Sequence, residues 1–131
     1  MPDKKKVLVV EDEEMLSTMY KVKFENDGYD VSVANNGADG LEMAAKVVPD
    51  LILLDIIMPK IDGFAVLKKL KEDPKTAVLP VVMLTNLTEE SVVQESLHLG
   101  AVGYLVKVKY TPPQVVEKVK DFIKFHQQHL Q

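Results

Sequence analysis

The sequence predicts an α/β fold of the doubly wound class, with a parallel sheet between two layers of helices. Two observations predict it: five short apolar runs, most of them rich in Val, Ile and Leu, and segments with helical spacing between the runs. The longer runs do not alternate with polar residues, which is typical of strands buried on both faces of a parallel sheet. Regular alternation of strand and helix indicates right-handed crossovers. The predicted strands are residues 7–10, 31–33, 51–54, 81–84 and 104–106.

Between the strands, apolar residues recur three or four positions apart, as on the buried stripe of an amphipathic helix. Helix ends are marked as well: Gly28 suits a C-terminal cap, Pro49 closes the second helix, and Thr111 followed by Pro112 is typical of a helix start. The predicted stripes, in helix order, are Leu16, Met19, Tyr20 and Phe24; Leu41, Ala44, Ala45 and Val48; Phe64, Leu67 and Leu70; Val93, Leu97 and Gly100; and Val115, Val119, Phe122 and His126.

Length, composition and charge fit a single domain, which we place at residues 4–129 with no output domain. The chain has no cysteine, which excludes disulfides and thiolate chemistry. No apolar run approaches the ~20 residues of a membrane span, and residues 1–6 lack the apolar core of a signal peptide. We therefore expect a cytoplasmic protein with no membrane partner. The net charge of −4 argues against direct binding of nucleic acid.

Residues capable of chemistry stand directly after several predicted strands. Glu11 and Asp12 follow the first strand, Asp55 follows the third, Thr85 follows the fourth, and the fifth ends at Lys107. In an open α/β sheet, binding sites lie beyond the carboxyl ends of the strands. We therefore expect these five side chains to meet at one edge of the sheet.

Three carboxylates in one pocket repel one another, and a divalent cation relieves that repulsion. A few carboxylates, waters and a substrate phosphate form the usual environment of magnesium. Asp55 would then be a nucleophile toward phosphorus, giving an acyl phosphate, with Thr85 and Lys107 contacting the phosphoryl oxygens. Each residue taken alone has an ordinary interpretation as a helix-dipole charge, cap, turn or solvated side chain, and we accept it for Glu13 and Glu14.

At these positions the sequence resembles the receiver domain of two-component response regulators, chemotaxis regulators included, over essentially the whole chain. The most specific segment is DLILLDIIMPKIDG at residues 50–63. The segments VLVVEDE at 7–13, VVMLT at 81–85 and GAVGYLVK at 100–107 match other parts of the family pattern. The resemblance implies a flavodoxin-like doubly wound (βα)5 three-layer sandwich with the sheet order 2-1-3-4-5.

The resemblance also implies a role for each site residue. Asp55 would be the phosphorylated aspartate, and Lys107 would pair with the phosphoryl group. Thr85 would swing toward that group and Tyr104 would change rotamer with it, whereas the alternative for Tyr104 is a half-buried strand tyrosine. The implied ligands of Mg²⁺ are Glu11, Asp12, Asp55 and the main-chain carbonyl of Ile57.

What the resemblance implies about function is a phosphoacceptor switch rather than an enzyme, since the chain would catalyse only its own phosphorylation and dephosphorylation. A sensor histidine kinase or phosphotransfer protein would donate the phosphoryl group, docking on the first helix and the loop after Lys107. An unknown downstream protein would bind the face of the fourth helix, fifth strand and fifth helix. We expect a monomer or a weak phosphorylation-dependent dimer. The residues expected on the output face are Val92, His98, Tyr104, Lys109 and Lys118.

Three positions depart from the family pattern. Glu11 stands where Asp is more frequent, and its longer arm suits binding of magnesium through water. Asn86 follows the threonine where a small residue is usual, which predicts a narrower approach to Asp55. Val108 follows Lys107 where proline is frequent. Because a cis bond before a residue other than proline costs about 2.5–4 kcal/mol, we predict a trans peptide there and a different path into the last helix.

Ile57 and Leu87 are predicted to flank the pocket, at positions that influence hydrolysis of the acyl phosphate in this family. Both are apolar, and an apolar rim does not orient an attacking water. The sequence therefore predicts slow self-dephosphorylation and a long-lived phosphorylated state.

Three other functions share part of this sequence pattern. A phosphatase with an aspartyl-phosphate intermediate usually carries a second acid two residues after the nucleophile, where this chain has Ile57. A flavin-binding electron carrier needs a phosphate loop after the first strand, where this chain has four acids. A degenerate receiver that serves only as a scaffold stays open because of Glu11 and Asn86.

Overall fold

Five parallel strands alternate with five α-helices in the computed structural model, which describes residues 4–128. The sheet order is β2-β1-β3-β4-β5, which confirms the predicted flavodoxin-like topology. Residue 129, the end of the predicted domain, lies outside the described residues. The strands are β1 (Lys6–Val10), β2 (Asp30–Ala34), β3 (Leu51–Leu54), β4 (Val81–Thr85) and β5 (Gly103–Val106), and the helices are α1 (Glu14–Asn26), α2 (Gly37–Val47), α3 (Gly63–Glu72), α4 (Glu90–His98) and α5 (Pro112–Gln128).

The central strands are buried on both faces, which explains why their sequences are continuous apolar runs. Val7 and Val9 of β1 pack into one apolar cluster with α1 and α5, whereas Leu8 and Val10 pack into a second cluster with α2 and α3. Alternate residues of a strand point to opposite faces. The sheet therefore lies between two helical layers, and its strand ends are left open at one edge.

Burial in the helices confirms the central residues of most predicted apolar stripes, but several residues at the edges of the stripes are exposed. Tyr20 and Phe24 are buried, but Met19 is 43% exposed because it lies at the border of the inward face of α1. Val48 is exposed, since it follows α2 in a left-handed conformation with φ 51° that turns its side chain outward. In α4 the buried position is Ser96 rather than Leu97.

Ser96 occupies that inward position because its hydroxyl donates a hydrogen bond to the carbonyl of Val92, 2.9 Å away. The hydrogen bond satisfies the polar group within the helix, so that burial does not leave an unpaired hydroxyl. Ala45 in α2 is exposed as well, in contrast to its predicted place on a buried stripe.

The predicted cap residues Gly28, Pro49 and Thr111 agree with the structure, whereas Gly100, predicted on the stripe of the fourth helix, lies beyond α4, which ends at His98. Gly28 follows α1 with a φ of +92°, a conformation that glycine adopts readily. Thr111 caps α5: its hydroxyl oxygen accepts from the Gln114 N–H, and the Gln114 side chain accepts from the Thr111 N–H at 2.8 Å. This reciprocal capping fixes where α5 begins, a few residues after the end of β5. Within residues 4–128, no helix has the length and apolar character needed to cross a membrane.

Candidate functional site

The predicted site residues are brought to one edge by the register of the sheet. Val10 and Leu54 are partners in the β1–β3 ladder, so the residues that follow them, Glu11 and Asp55, emerge side by side. The N–H of Asp55 donates to the carbonyl of Val10 at 3.1 Å, and the N–H of Glu11 donates to the carbonyl of Ala34 at 3.0 Å. These main-chain bonds continue the ladder and fix where both carboxylates begin.

Three carboxylates converge at this edge, as predicted. One oxygen from each of Glu11, Asp12 and Asp55 lies within 4.8 Å of the others. Glu11 and Asp55 are only 3% and 6% exposed, whereas Asp12 is open to solvent. An all-oxygen donor set with one open side is suited to magnesium, which keeps part of its water shell in proteins. The three side chains therefore fit the predicted cation.

A cavity of about 400 Å³ opens over these carboxylates. Its walls include Thr85 and Lys107 from the two neighbouring strand ends, and Ile57 from the loop after β3. All predicted site residues except Tyr104 therefore share one cavity, which is lined by Glu11, Asp12, Glu13, Asp55, Ile57, Thr85, Asn86 and Lys107.

Lys107 spans two of the carboxylates. Its Nζ donates to Oδ2 of Asp55 at 2.7 Å and forms an ion pair with Oε1 of Glu11. Burial alone would lower the pKa of Lys107, but the hydrogen bonds and charges of Asp55 and Glu11 outweigh burial and raise it. The side chain is thus a firmly held cation that points inward rather than into bulk water.

The chain after Lys107 differs from the usual pattern in the predicted way. The described residues contain no cis peptide, so the bond between Lys107 and Val108 is trans. A 3₁₀ turn over Lys107–Lys109 then leads toward α5.

Glu11 is positioned by contacts that the sequence did not reveal. The side-chain amide of Asn35 donates to the carbonyl of Glu11 at 2.9 Å and to the hydroxyl of Ser17 at 3.2 Å. Oε2 of Glu11 accepts from the N–H of Glu13 at 3.1 Å. Burial raises the pKa of Glu11, and the Lys107 ammonium and the Glu13 N–H offset part of that rise. Asn35 therefore ties the end of β2 to the acidic loop.

Asp55 is held by its own loop. Oδ1 accepts from the N–H of Ile56 at 2.7 Å, and the carbonyl of Ile56 accepts from the N–H of Gly63 at 2.7 Å. A Cβ at Gly63 would overlap the carbonyl of Asp55 and come within 2.7 Å of Cα of Ile56. Only glycine allows this close approach of α3 to the loop, which accounts for Gly63 at the end of the most specific sequence segment.

Thr85 and Tyr104 lie at different depths. Thr85 ends β4, is buried and lines the cavity. Tyr104 is half-buried in β5 and its hydroxyl donates to the carbonyl of Leu87 at 2.8 Å. Burial raises the pKa of Tyr104. The hydroxyl of Tyr104 therefore contacts the loop after β4 and not the cavity.

The rim of the cavity is only partly as predicted. Ile57 lines it and is 62% exposed. Leu87 does not line it, because its half-buried side chain packs against the apolar cluster beneath α3. The prediction that both residues flank the pocket was wrong for Leu87, and any apolar effect on an attacking water comes from Ile57 alone.

Comparison with known proteins identifies the family. The model of the response regulator receiver domain family matches residues 7–120. The chain therefore belongs to the response regulator receiver domain family, whose general role is to accept a phosphoryl group in two-component signalling.

Two of the relatives that the chain matches are longer regulatory proteins. The chain is 39% identical over 120 residues to the alkaline phosphatase synthesis transcriptional regulatory protein PhoP of Bacillus subtilis, covering 92% of this chain and 49% of PhoP. It is 42% identical over 102 residues to the response regulator PleD of Caulobacter vibrioides, covering 78% of this chain and 22% of PleD. The chain thus spans half or less of these relatives.

Solved structures of similar length agree in fold. Chemotaxis protein CheY4 of Vibrio cholerae is 30% identical with a TM-score of 0.85, over 91% of this chain and 98% of that one. A CheY-like receiver domain of Methanospirillum hungatei is 25% identical with a TM-score of 0.88, over 96% and 98% of the two chains.

Replacement of Gly63 by alanine tests how the loop of Asp55 is held. We expect Gly63→Ala to lower the free energy of unfolding by about 1–3 kcal/mol, the usual cost of overpacking, and to weaken binding of Mg²⁺ because Asp55 shifts. Thermal unfolding and magnesium titration by NMR measure both effects. Gly28→Ala is the control for stability loss without a change at the site: alanine is strained at φ +92° and should also lower the free energy of unfolding, but Gly28 follows α1 and does not line the cavity, so magnesium affinity should stay unchanged. Unchanged magnesium affinity in Gly63→Ala would contradict the assignment.

Proposed function

We propose that this chain is a phosphoacceptor switch that receives a phosphoryl group on Asp55. The observation that carries the proposal is the convergence of Glu11, Asp12 and Asp55 within 4.8 Å, next to the inward-facing ammonium of Lys107. A carboxylate nucleophile, two flanking acids and one fixed cation are the components that phosphoryl transfer to an aspartate requires.

The reaction forms one bond and breaks one. A carboxylate oxygen of Asp55 attacks phosphorus, and the P–N bond of a phosphohistidine on the donor protein breaks, so that the donor imidazole leaves and takes up a proton. The product is an acyl phosphate on Asp55. Lys107 stays within reach to pair with a phosphoryl oxygen, and the hydroxyl of Thr85 donates to another.

The chain's own acids account for the proposed use of Mg²⁺. Glu11, Asp12 and Asp55 would hold the ion with the main-chain carbonyl of Ile57, and the longer side chain of Glu11 would bind it through a water. When bound, Mg²⁺ would offset charge on the phosphoryl oxygens. The structure supports this donor set because the three carboxylates outnumber the single ammonium that faces them.

The other functions have less support. Two residues after Asp55, where a phosphatase of this kind carries its second acid, this chain has Ile57, whose side chain is exposed and apolar. The acids after β1 would repel the phosphate of a flavin. A scaffold without phosphorylation would not need Lys107 between Asp55 and Glu11, so the ion pairs favour a working acceptor site. The chain would then act catalytically only on its own Asp55.

The proposed signal passes from Asp55 to the output face. Phosphorylation adds charge and acceptor oxygens that draw Thr85 inward, which leaves room for Tyr104 to turn. Tyr104 would release its hydrogen bond to Leu87 and thereby shift the loop after β4. The face of α4, β5 and α5 would then change its affinity for a downstream protein.

The proposed donor is a sensor histidine kinase or phosphotransfer protein. Met15, Met19 and Val22 lie on α1, the helix that follows the acidic loop, with exposed side chains at spacings of a helix turn, and Val108 is exposed directly after Lys107. These exposed apolar residues suit a docking protein that covers the acidic pocket. We propose a cytoplasmic location, no direct contact with nucleic acid, and a monomer or a weak phosphorylation-dependent dimer.

Labelling with a small phosphodonor tests the acceptor. With acetyl phosphate and Mg²⁺, intact-mass spectrometry should show addition of one phosphoryl group, because Asp55 is the proposed nucleophile and its carboxylate is held in place by the hydrogen bond from Lys107. Asp55→Asn and chelation of Mg²⁺ should each abolish the addition. A label that persists in Asp55→Asn, or that forms equally well without a divalent cation, would refute the assignment.

Beryllofluoride, a phosphoryl analogue, extends the same experiment to the output face. Amide NMR shifts on binding are expected at the cavity and at the face residues Val92, His98, Tyr104, Lys109 and Lys118. Shifts restricted to the cavity would leave Asp55 as an acceptor and reject the face as the output surface.

The lifetime of the phosphoryl group tests the apolar rim. Because Ile57 offers no hydrogen bond to a water, we expect the acyl phosphate to last well beyond seconds. Ile57→Gln should shorten the lifetime several-fold by orienting a water, whereas Ile57→Leu should leave it unchanged. A lifetime of seconds in the unsubstituted chain, measured by loss of label after removal of the donor, would show that the rim does not control hydrolysis.

A further inference from the structure

Two positions that depart from the family pattern contact each other. The N–H of Val108 donates a hydrogen bond to Oδ1 of Asn86, 3.0 Å away and 22 residues apart in sequence. A proline at position 108 would have no N–H to donate, and a small aliphatic residue at position 86 would have no oxygen to accept. The contact therefore requires both Asn86 and Val108. It joins the residue after Thr85 to the residue after Lys107.

The contact fixes which end of the Asn86 side chain is available to a ligand. An amide has an acceptor oxygen and a donor NH₂, and the two are distinguished by their partners. Since a main-chain N–H must be met by the oxygen, Nδ2 is the other end. Among the described residues Nδ2 has no hydrogen-bond partner, while Asn86 lines the cavity that contains Asp55 and Lys107.

An uncharged hydrogen-bond donor such as Nδ2 of Asn86 suits the distribution of charge in the cavity. An incoming phosphoryl group adds negative charge to a pocket in which Lys107 already serves two carboxylates. The chain contains no arginine, so the guanidinium group, the usual multidentate donor to phosphate, is missing. An amide N–H that donates to a charged oxygen makes a charge-assisted hydrogen bond without altering the charge balance of the magnesium ligands.

We propose that Asn86 is a phosphoryl-binding residue whose Nδ2 donates to a phosphoryl oxygen on Asp55, and that Val108 positions it through its main-chain N–H. This inference rests on the proposed phosphorylation of Asp55. It opposes the steric prediction from sequence, in which Asn86 only narrows the approach to Asp55. The two interpretations predict different effects of removing the Asn86 side chain on the affinity for a phosphoryl analogue. Loss of a donor weakens binding, whereas loss of an obstruction leaves binding equal or tighter.

The test is the magnesium-dependent dissociation constant of beryllofluoride, measured by ¹⁹F NMR. Asn86→Ala should weaken binding about tenfold or more, as expected for a hydrogen bond to a charged group. Asn86→Asp keeps an oxygen for the Val108 N–H but replaces the donor with a charge, so it should weaken binding further while the melting temperature changes little. Equal or tighter binding in Asn86→Ala would overturn the proposal.

The role of Val108 is tested separately. Val108→Pro removes the N–H and should weaken binding about threefold, whereas Val108→Ala keeps the N–H and should match the unsubstituted chain. In the double variant Asn86→Ala with Val108→Pro, the affinity for beryllofluoride should equal that of Asn86→Ala alone, because Val108 acts through Asn86. If the double variant loses the affinity of both single variants combined, the positioning role of Val108 is overturned. If Val108→Pro does not fold, Asn86→Ala and Asn86→Asp still decide the role of Asn86.

The outcomes separate this inference from the proposed function. If the unsubstituted chain does not bind beryllofluoride with Mg²⁺, the phosphoacceptor proposal fails and the role of Asn86 fails with it. If the unsubstituted chain binds and Asn86→Ala binds equally well, only the role of Asn86 is refuted.

Discussion

Electrostatic repulsion among three carboxylates is the constraint on which the rest of this structure depends. Glu11 and Asp55 are nearly excluded from water, where their charges are poorly screened. Lys107 offsets part of the repulsion by pairing with both. One ammonium against three carboxylates still leaves an excess of negative charge at the mouth of the cavity. That imbalance supports the proposed binding of a divalent cation and, with the cation, of a phosphoryl group.

Main-chain contacts hold the three carboxylates close together, because side chains that repel one another would otherwise move apart. The β1–β3 ladder starts Glu11 and Asp55 side by side, and Gly63 lets α3 press against the loop of Asp55. Asn35 holds the acidic loop from the other side through the carbonyl of Glu11. The free energy gained by burying the apolar layers thus offsets the repulsion among the carboxylates of the site.

The sequence was sufficient for the strands and for the convergence of the site, since continuous apolar runs and residues at strand ends follow from the geometry of parallel sheets. The strand order came from the family resemblance and not from the apolar pattern. It was insufficient where a contact joins residues remote in sequence. The pairing of Asn86 with Val108 needs the relative positions of two loops. Burial of Ser96 in place of Leu97 depends on a hydroxyl satisfied within its own helix, which hydrophobicity does not reveal. Leu87 was misplaced because an apolar residue beside a pocket can also pack inward.

Paramagnetic relaxation by Mn²⁺, used in place of Mg²⁺, tests the central claim most directly. The account predicts that amide NMR signals broaden first in Glu11, Asp12 and Ile56 and then in Lys107, with a much weaker effect at Asp50 on the opposite edge of the sheet. Broadening that is spread over the acidic surface, or centred away from Asp55, would contradict the claim that these three carboxylates form one cation site.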